Sequence, residues 1–397
     1  MALVTTLSPD SAPPAIAAAV VQKSRAASAA DRLAHGRFTL VDSLRGIAAL
    51  LVAWHHIVWW GPFSETAETA LPSFVLKIAD NGMYGVQMFF VISGFVIAYS
   101  IRGARITPSF LGNFALRRSI RLDPPYWTAM VSVLLLHFFG TLTGLLPSPF
   151  DAPPQVQQVL AHLLYLQDII GYENLSLGFW TLCIEVQFYL LLVIFTGIAQ
   201  RLPGSDAERG ASGANLLIMF LPLALASLFY FHLDRSYSPW VVRQFGMFFL
   251  GSLVWWTLEG RLPVWVLLAY CGAVLIRLYL EYHLGLTIAL ITGVMIYVAG
   301  LTGHLQNWGS QSWLQFLGRV SYSLYLVHYP VMHVVENAGL SLTGNSATSA
   351  VFWMVVSLVA SIGAAQLLYV CVEAPSVRLA ARFKQPSTRP VLETARS

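Results

Sequence analysis

Apolar stretches about twenty residues long recur from one end of this chain to the other, and no other feature limits its fold so severely. A helix of about 20 apolar residues crosses a bilayer, whereas a barrel strand is roughly 10 residues of alternating character. The stretches are continuous, so they predict helices. Composition closes off the soluble alternative: 56% of the 397 residues are hydrophobic and 11% are charged, against about a quarter charged in soluble domains. The fold class expected is all-α, a polytopic integral membrane protein of about ten transmembrane helices.

Hydropathy places the spans at 43–60, 83–101, 125–147, 176–199, 215–232, 241–258, 263–281, 284–302, 318–337 and 348–371. The segment 159–170 is apolar but short and carries Asp168, which suits an interfacial position. Basic residues set the orientation, because cytoplasmic connections are enriched in Lys and Arg. They gather before the first span (Lys23, Arg25, Arg32, Arg37), in the second connection (Arg102, Arg105, Arg117, Arg118, Arg121) and after the last span (Arg378, Arg382, Lys384, Arg389, Arg396). The connection 61–82 holds only Lys77, and 148–175 and 338–347 hold none. Ten spans with both termini in the cytoplasm satisfy this pattern.

Residues 1–40 are rich in Ala, Ser and Pro and read as a disordered cytoplasmic tail; 41–376 form the membrane domain and 377–397 a basic cytoplasmic tail. The apolar run Ala15–Val21 precedes its basic residues and is too short to span, unlike a signal peptide. Cys183, Cys271 and Cys371 have no metal-ligand spacing and read as small buried hydrophobes, so no metal is expected. The formal charge of +4 calls for no nucleic-acid partner. Trp59, Trp60, Trp240, Trp255, Trp256 and Trp308 fall near span ends, as an interfacial aromatic belt requires.

Ionisable groups inside a bilayer are costly and mark a pathway or a site by default. The first span, VDSLRGIAALLVAWHHIVWW, carries Arg45, His55 and His56. Eleven residues separate Arg45 from His56, about 1100° at roughly 100° per residue, so both occupy one face about 16 Å apart along the axis. His55 points about 80° away from Arg45. Two readings stand for this pair. Arg45 is an interfacial anchor and His56 a hydrogen-bonding side chain between helices, or His56 is a neutral imidazole placed to take a hydroxyl proton. At the entrance to the third span, LRRSIRLDPPYW brings Arg117, Arg118 and Arg121 onto one turn. Such a cluster either follows from topology alone or clamps an anion. In GFWTLCIEVQFYLLL, Thr181, Glu185 and Tyr189 recur every four residues on one face. The buried Glu185 either cements helices or orients an imidazole.

Together these motifs resemble the acyltransferase 3 family of bacterial membrane O-acyltransferases. DSLRGIAALLVAWHH is similar to that family's first helix, FFVISGFVI to its second, and RRSIRLDPPYW to its arginine-rich third entrance. GFWTLCIEVQFYLLL is similar to its Trp- and Glu-bearing segment, and SYSLYLVHYPV with VEAP at Val372–Pro375 to its closing helices. The resemblance spans roughly residues 38–380. It implies a ten-helix acyltransferase of the bacterial cytoplasmic (inner) membrane, with no permanently bound cofactor. Acetyl-CoA or another acyl-CoA is the implied cytoplasmic donor. The implied acceptor is a hydroxyl of an extracytoplasmic or lipid-linked glycan, with a small secondary metabolite as the alternative. By position His56 is the catalytic histidine, with Glu185 assisting. Arg45, Arg118 and Arg121 bind acyl-CoA, and Arg117, Trp180 and Tyr189 line the site. Asp123 departs from the aromatic or aliphatic residue common there, and the fused hydrolase-like domain of some relatives is not expected in this sequence. The resemblance leaves the oligomeric state open. A proton-coupled transporter or exporter using Arg45, His56 and Glu185 as a relay is the competing reading, as is a scaffold without chemistry.

Overall fold

The computed structural model describes residues 37–150, 152–205 and 210–383, so most of the two expected tails lies outside the described residues. All regular secondary structure among the described residues is helical. The long helices are α1 (Thr39–Trp59), α4 (Gly85–Ser100), α5 (Pro108–Thr143), α8 (Phe179–Ala199), α9 (Gly213–Phe229), α10 (Val241–Leu258), α11 (Val264–Leu280), α12 (Leu284–Thr302), α13 (Ser312–Thr343) and α14 (Ala347–Leu368). Shorter helices α2 (Ser64–Ala70) and α3 (Ser73–Gly82) follow α1. Helices α6 (Val156–Leu163) and α7 (Gln167–Ile170) precede α8, and α15 (Ala374–Arg382) follows a π-helical turn at Tyr369–Glu373.

Each of the ten stretches read as a span falls on one of the long helices. Seven helical segments are individually long and apolar enough to cross a membrane. Helices α3 and α4 meet that test as a pair bent by 43°, and α11 is a shorter apolar helix. Helix α13 is long but carries Arg319, His328, His333 and Glu336, which lower its hydropathy. This is a multi-pass membrane protein. Lipid-facing apolar side chains such as Phe138, Phe139, Leu142 and Leu268 remain more than half exposed, as a surface solvated by lipid requires.

Helix α10 sits at the centre of one half, where its buried phenylalanines join residues of α4, α8, α9 and α12 in the largest core cluster. In the other half, α1, α13 and α14 pack together over smaller clusters around Ala53, Leu324 and Met354. Contacts in both halves rest on small residues, as expected where lipid offers no hydrophobic drive between helices. A Cβ on Gly46 of α1 would meet the Gly318 nitrogen of α13 at 2.7 Å, and one on Gly318 would strike the Asp42 carbonyl. Helices α4 and α10 cross in the same manner at Gly94 and Gly251, each facing a backbone carbonyl of the other helix. Ser252 Oγ donates to Gly94 O at 3.1 Å across this contact.

The stretch 159–170, expected at the interface, falls on the two short helices α6 and α7, which turn one side inward and leave Leu160, Leu164 and Ile170 exposed. His162 and Gln167 are fully buried. His162 Nε2 accepts from Leu175 N at 3.0 Å, and Tyr165 OH donates to Asp123 Oδ1 at 2.8 Å. Asp123 also accepts from Ser119. Internal polar pairing lets the segment fold inward against the middle of α5, which hydropathy does not register. The departure at Asp123 thus has a structural account as the anchor for Tyr165.

The α1–α13 crossing yields a direct test. Gly46→Val should separate the two helices and destabilise the protein by about 1–3 kcal/mol through overpacking. Thermal unfolding in detergent, followed by fluorescence-detected size exclusion, would read this as a lowered midpoint. Gly112→Val, at a glycine with open space around it, should cost no packing of this kind.

Candidate active site

Five helices converge on one cavity of about 800 Å³, its open mouth included. Arg45 enters from α1, Ser93 and a row of apolar side chains from α4, and Arg118 and Arg121 from α5. Thr181, Glu185 and Tyr189 enter from α8, and Ser321, Tyr322 and Tyr325 from α13. The structure therefore unites Arg45, Arg118, Arg121, Glu185 and Tyr189, which lie far apart in sequence. Arg117 and Trp180 fall outside the lining. The Arg117 Nε is buried without a partner, and the Trp180 ring packs edge-on to Phe90 at 6.4 Å.

Local sequence explains how α5 delivers its arginines. Thr107 caps the helix by accepting from Phe110 N at 3.1 Å, with Pro108 at the first helical position, where a missing N–H costs nothing. Arg118 and Arg121, three residues apart, then share a face. Pro124 and Pro125 follow, removing the N–H groups that would bond the carbonyls one turn earlier. Polar surroundings make such a break tolerable at membrane depth. Tyr322 OH donates to Leu122 O at 2.9 Å in this turn.

The cavity carries surplus positive charge. Arg45, Arg118 and Arg121 lie within electrostatic range of one another, with Glu185 and Glu373 as the carboxyl groups in their neighbourhood. Glu185 is occupied by hydrogen bonds from Ser93 and Tyr189. Glu373 accepts from Ser323 Oγ at 2.6 Å. The Arg118 guanidinium rests over the Tyr189 ring at 4.8 Å and the Phe114 ring at 5.6 Å. None of the three arginines closes a salt bridge among the described residues. Three guanidinium groups without full carboxylate pairing suit a multiply charged anion, whose oxygens their forks can bind two at a time.

His56 lies further along α1, beyond the cavity. The two adjacent histidines separate as helical geometry requires: His55 Nδ1 contacts Ala79 O at 2.8 Å on α3, while His56 faces α13. There His56 Nδ1 lies 2.7 Å from His328 Nε2, with the ring planes 6° apart. His328 is 1% exposed, and its Nδ1 contacts Leu324 O at 3.1 Å. A carbonyl only accepts, so Nδ1 of His328 carries the proton and, in the neutral ring, Nε2 accepts. His56 Nδ1 must then be the donor between the rings, which leaves His56 Nε2 with a free lone pair. The Leu324 carbonyl thus fixes the tautomer of both imidazoles, a hydrogen-bond assignment made from partners.

Glu185, expected to orient the His56 ring, points instead into the arginine cavity, and His328 is the group that holds His56. The reason is register on α8: Thr181, Glu185 and Tyr189 share the face turned to Arg118. Tyr325 separates the two regions. Its hydroxyl shares a 2.8 Å hydrogen bond with Thr181 Oγ1, its ring packs on Phe89 at 5.6 Å, and the His328 ring lies 6.1 Å away. Sequence reasoning assigned no role to His328, Tyr325, Tyr322, Ser93 or Glu373. His328 offered a signal, an ionisable side chain within a span, but its partner stands 272 positions away.

The tautomer lock is testable without any substrate. Nitrogen-15 NMR of His-labelled protein in bilayers at neutral pH should show His56 as one neutral tautomer, protonated at Nδ1. His328→Ala removes the acceptor and should leave a mixture of tautomers. A mixture already present in the wild type would contradict the assignment.

Residues 39–370 match the acyltransferase domain family Acyl_transf_3. YrhL of Bacillus subtilis is 25% identical over 383 residues, 84% of this chain and 54% of the relative. The peptidoglycan O-acetyltransferase OatA of Listeria monocytogenes is 24% identical over 329 residues, 74% of this chain and 49% of the relative. The exopolysaccharide production protein ExoZ of Rhizobium meliloti is 30% identical over 295 residues, 70% of this chain and 84% of the relative. The chain spans about half the length of the first two. No solved structure matches. With the family's domain covering most of the chain and its helices enclosing the arginine cavity and the histidine pair, this protein belongs to the acyltransferase 3 family of membrane acyltransferases.

Proposed function

We propose that this chain is an acyl-CoA-dependent membrane O-acyltransferase, in which an acyl group taken from cytoplasmic acyl-CoA passes to a hydroxyl of an extracytoplasmic or lipid-linked glycan. The observation that carries the proposal is the cavity lined by Arg45, Arg118 and Arg121, none of which closes a salt bridge among the described residues. The glycan acceptor is supported by the names of OatA and ExoZ. In this reading the protein has ten spans and both termini in the cytoplasm of a bacterial inner membrane, the arrangement that the distribution of Lys and Arg favours. Residues early in α1 and α5 then lie on the cytoplasmic side, within reach of a soluble nucleotide donor.

The donor's phosphates occupy the arginine cavity, and its pantetheine arm runs along the apolar face of α4 toward Tyr325. Delivery of the thioester requires Tyr325 to swing off Thr181. His56 Nε2 takes the proton of the acceptor hydroxyl as that oxygen adds to the thioester carbonyl. The tetrahedral adduct collapses with cleavage of the C–S bond, and the imidazolium returns its proton to the sulfur, giving an ester and the free thiol of CoA. His328 accepts from His56 Nδ1 throughout, so the ring keeps its orientation while its other nitrogen exchanges the proton. Glu185, bonded to Ser93 and Tyr189 beside Arg118, arranges the donor cavity.

Acetyl-CoA titrations on protein in nanodiscs test the division of labour. Arg118→Ala with Arg121→Ala should weaken binding by at least about tenfold per guanidinium, the loss of a charge-assisted contact. His56→Ala should bind acetyl-CoA as the wild type does while losing about 10²–10⁴-fold in transfer rate, the span of a general base. Folded wild-type protein that fails to bind acetyl-CoA would overturn the donor assignment and favour a transport relay.

A further inference from the structure

A second concavity lies on the other side of the histidine pair. Trp60, Gly61, Pro62, Pro147, Ser148, Met332, His333 and Asn337 enclose about 540 Å³ of open space at the end of α1 and along the last third of α13. Trp60 is 59% exposed. Its ring stands edge-on to His56 at 6.4 Å, with the planes 82° apart. Met332 is one helical turn beyond His328 and almost fully buried. The arginine cavity, through Tyr325 beside His328, and this pocket, through Trp60 beside His56, thus flank the histidine pair.

The chemistry of the lining is specific. No Lys or Arg is present in it. His333 Nε2 lies 2.9 Å from Pro147 O, so that nitrogen donates and Nδ1 of the neutral ring is left as an acceptor. Asn337 spends an amide hydrogen on His333 O at 2.7 Å, which leaves its side-chain carbonyl free to accept. Behind Gly61 lies Glu336, with 0% exposure and no hydrogen bond of ordinary geometry to either carboxyl oxygen, although Ser357 is nearby. A Cβ at Gly61 would collide with that carboxyl group. A buried carboxyl group without partners needs an explanation. Here it stands one glycine away from a pocket, and an unpaired carboxyl group so deeply buried is held in its neutral form, so it adds no charge to the pocket wall.

An exposed indole, several hydrogen-bond acceptors and a lining without Lys or Arg to pair an anion together suit a neutral, polyhydroxylated ring. Its C–H face packs on the aromatic surface and its hydroxyls donate into the pocket. We propose that this pocket is the acceptor subsite, that Trp60 is the platform for a neutral pyranose whose reacting hydroxyl reaches His56 Nε2, and that anionic sugars are excluded. The proposal rests on the acyl-transfer reading above and adds the class of acceptor and the side from which it enters.

Saturation-transfer NMR on the full chain in nanodiscs tests it, with three probes: methyl β-D-glucopyranoside, methyl N-acetyl-β-D-glucosaminide and methyl β-D-glucuronide. Acetyl-CoA binding is measured on the same samples. At least one neutral glycoside should receive saturation on its ring protons from the wild type. Trp60→Ala should weaken that glycoside about tenfold, or roughly 1.4 kcal/mol, with acetyl-CoA affinity unchanged. The glucuronide should receive none. Wild-type protein that binds acetyl-CoA but neither neutral glycoside would overturn the subsite. So would neutral binding that survives Trp60→Ala, or glucuronide binding equal to neutral binding. Failure of the wild type to bind acetyl-CoA, by contrast, would strike the donor reading and leave the glycoside result to stand by itself.

Discussion

The backbone contact between Gly46 and Gly318 sets the geometry on which the chemistry depends. Helices α1 and α13 are parallel there and touch without intervening side chains. Ten residues beyond Gly46 is His56, and ten residues beyond Gly318 is His328. Two parallel helices that start in register and rise by about 1.5 Å per residue remain level after those ten residues, and the imidazoles meet at 2.7 Å. The near end of the same pair is pinned by Gln315, whose Nε2 donates to Thr39 O and Ser43 Oγ at 2.9 Å each. A slip of one residue along either helix would turn its histidine about 100° away from the other. Placement of His56 against His328 is therefore a property of the helix crossing, which a bilayer lets small residues dictate.

Charge is handled by a different principle on each side of that pair. On the arginine side, cations gather around one cavity with aromatic rings and a hydrogen-bonded carboxylate to support them. Their remaining charge calls for an anion from outside the protein. On the Trp60 side, the pocket contains no cation and a carboxyl group lies behind it. One concavity is cationic and the other is not, so one phosphate-bearing ligand does not suit both. On the reading proposed above, donor and acceptor would be told apart by charge before any shape is considered.

Much of this was legible along the chain. The apolar stretches locate all ten long helices, and counting 100° per residue separates His55 from His56 and puts Arg45 on the latter's face. The spacing of Arg118 and Arg121 likewise marks a shared face. What could not be read was pairing across the fold. Nothing near His56 announces His328, and nothing in GFWTLCIEVQFYLLL tells that Glu185 turns toward Arg118 and away from the imidazole. Hydropathy also says nothing of how the inner side of 159–170 is paired, where Asp168, His162 and Gln167 make hydrogen bonds with Asn174, Leu175 and Phe179. Periodicity reports which face a residue occupies, and only tertiary packing says what that face meets.

The hydrogen bond between Tyr325 and Thr181 has a consequence for the membrane as a barrier. It closes the arginine cavity short of the histidine pair, with Phe89 packed alongside. Among the described residues the Tyr325 ring stands between the arginine cavity and the His328 ring, 6.1 Å from the latter. A side chain so placed limits water contact between two polar regions of a membrane protein, which matters to a cell that maintains a proton gradient. On the reading proposed above, this plug has to yield only while a bulky thioester fills the opening, so one phenol would serve both as barrier and as gate to the donor.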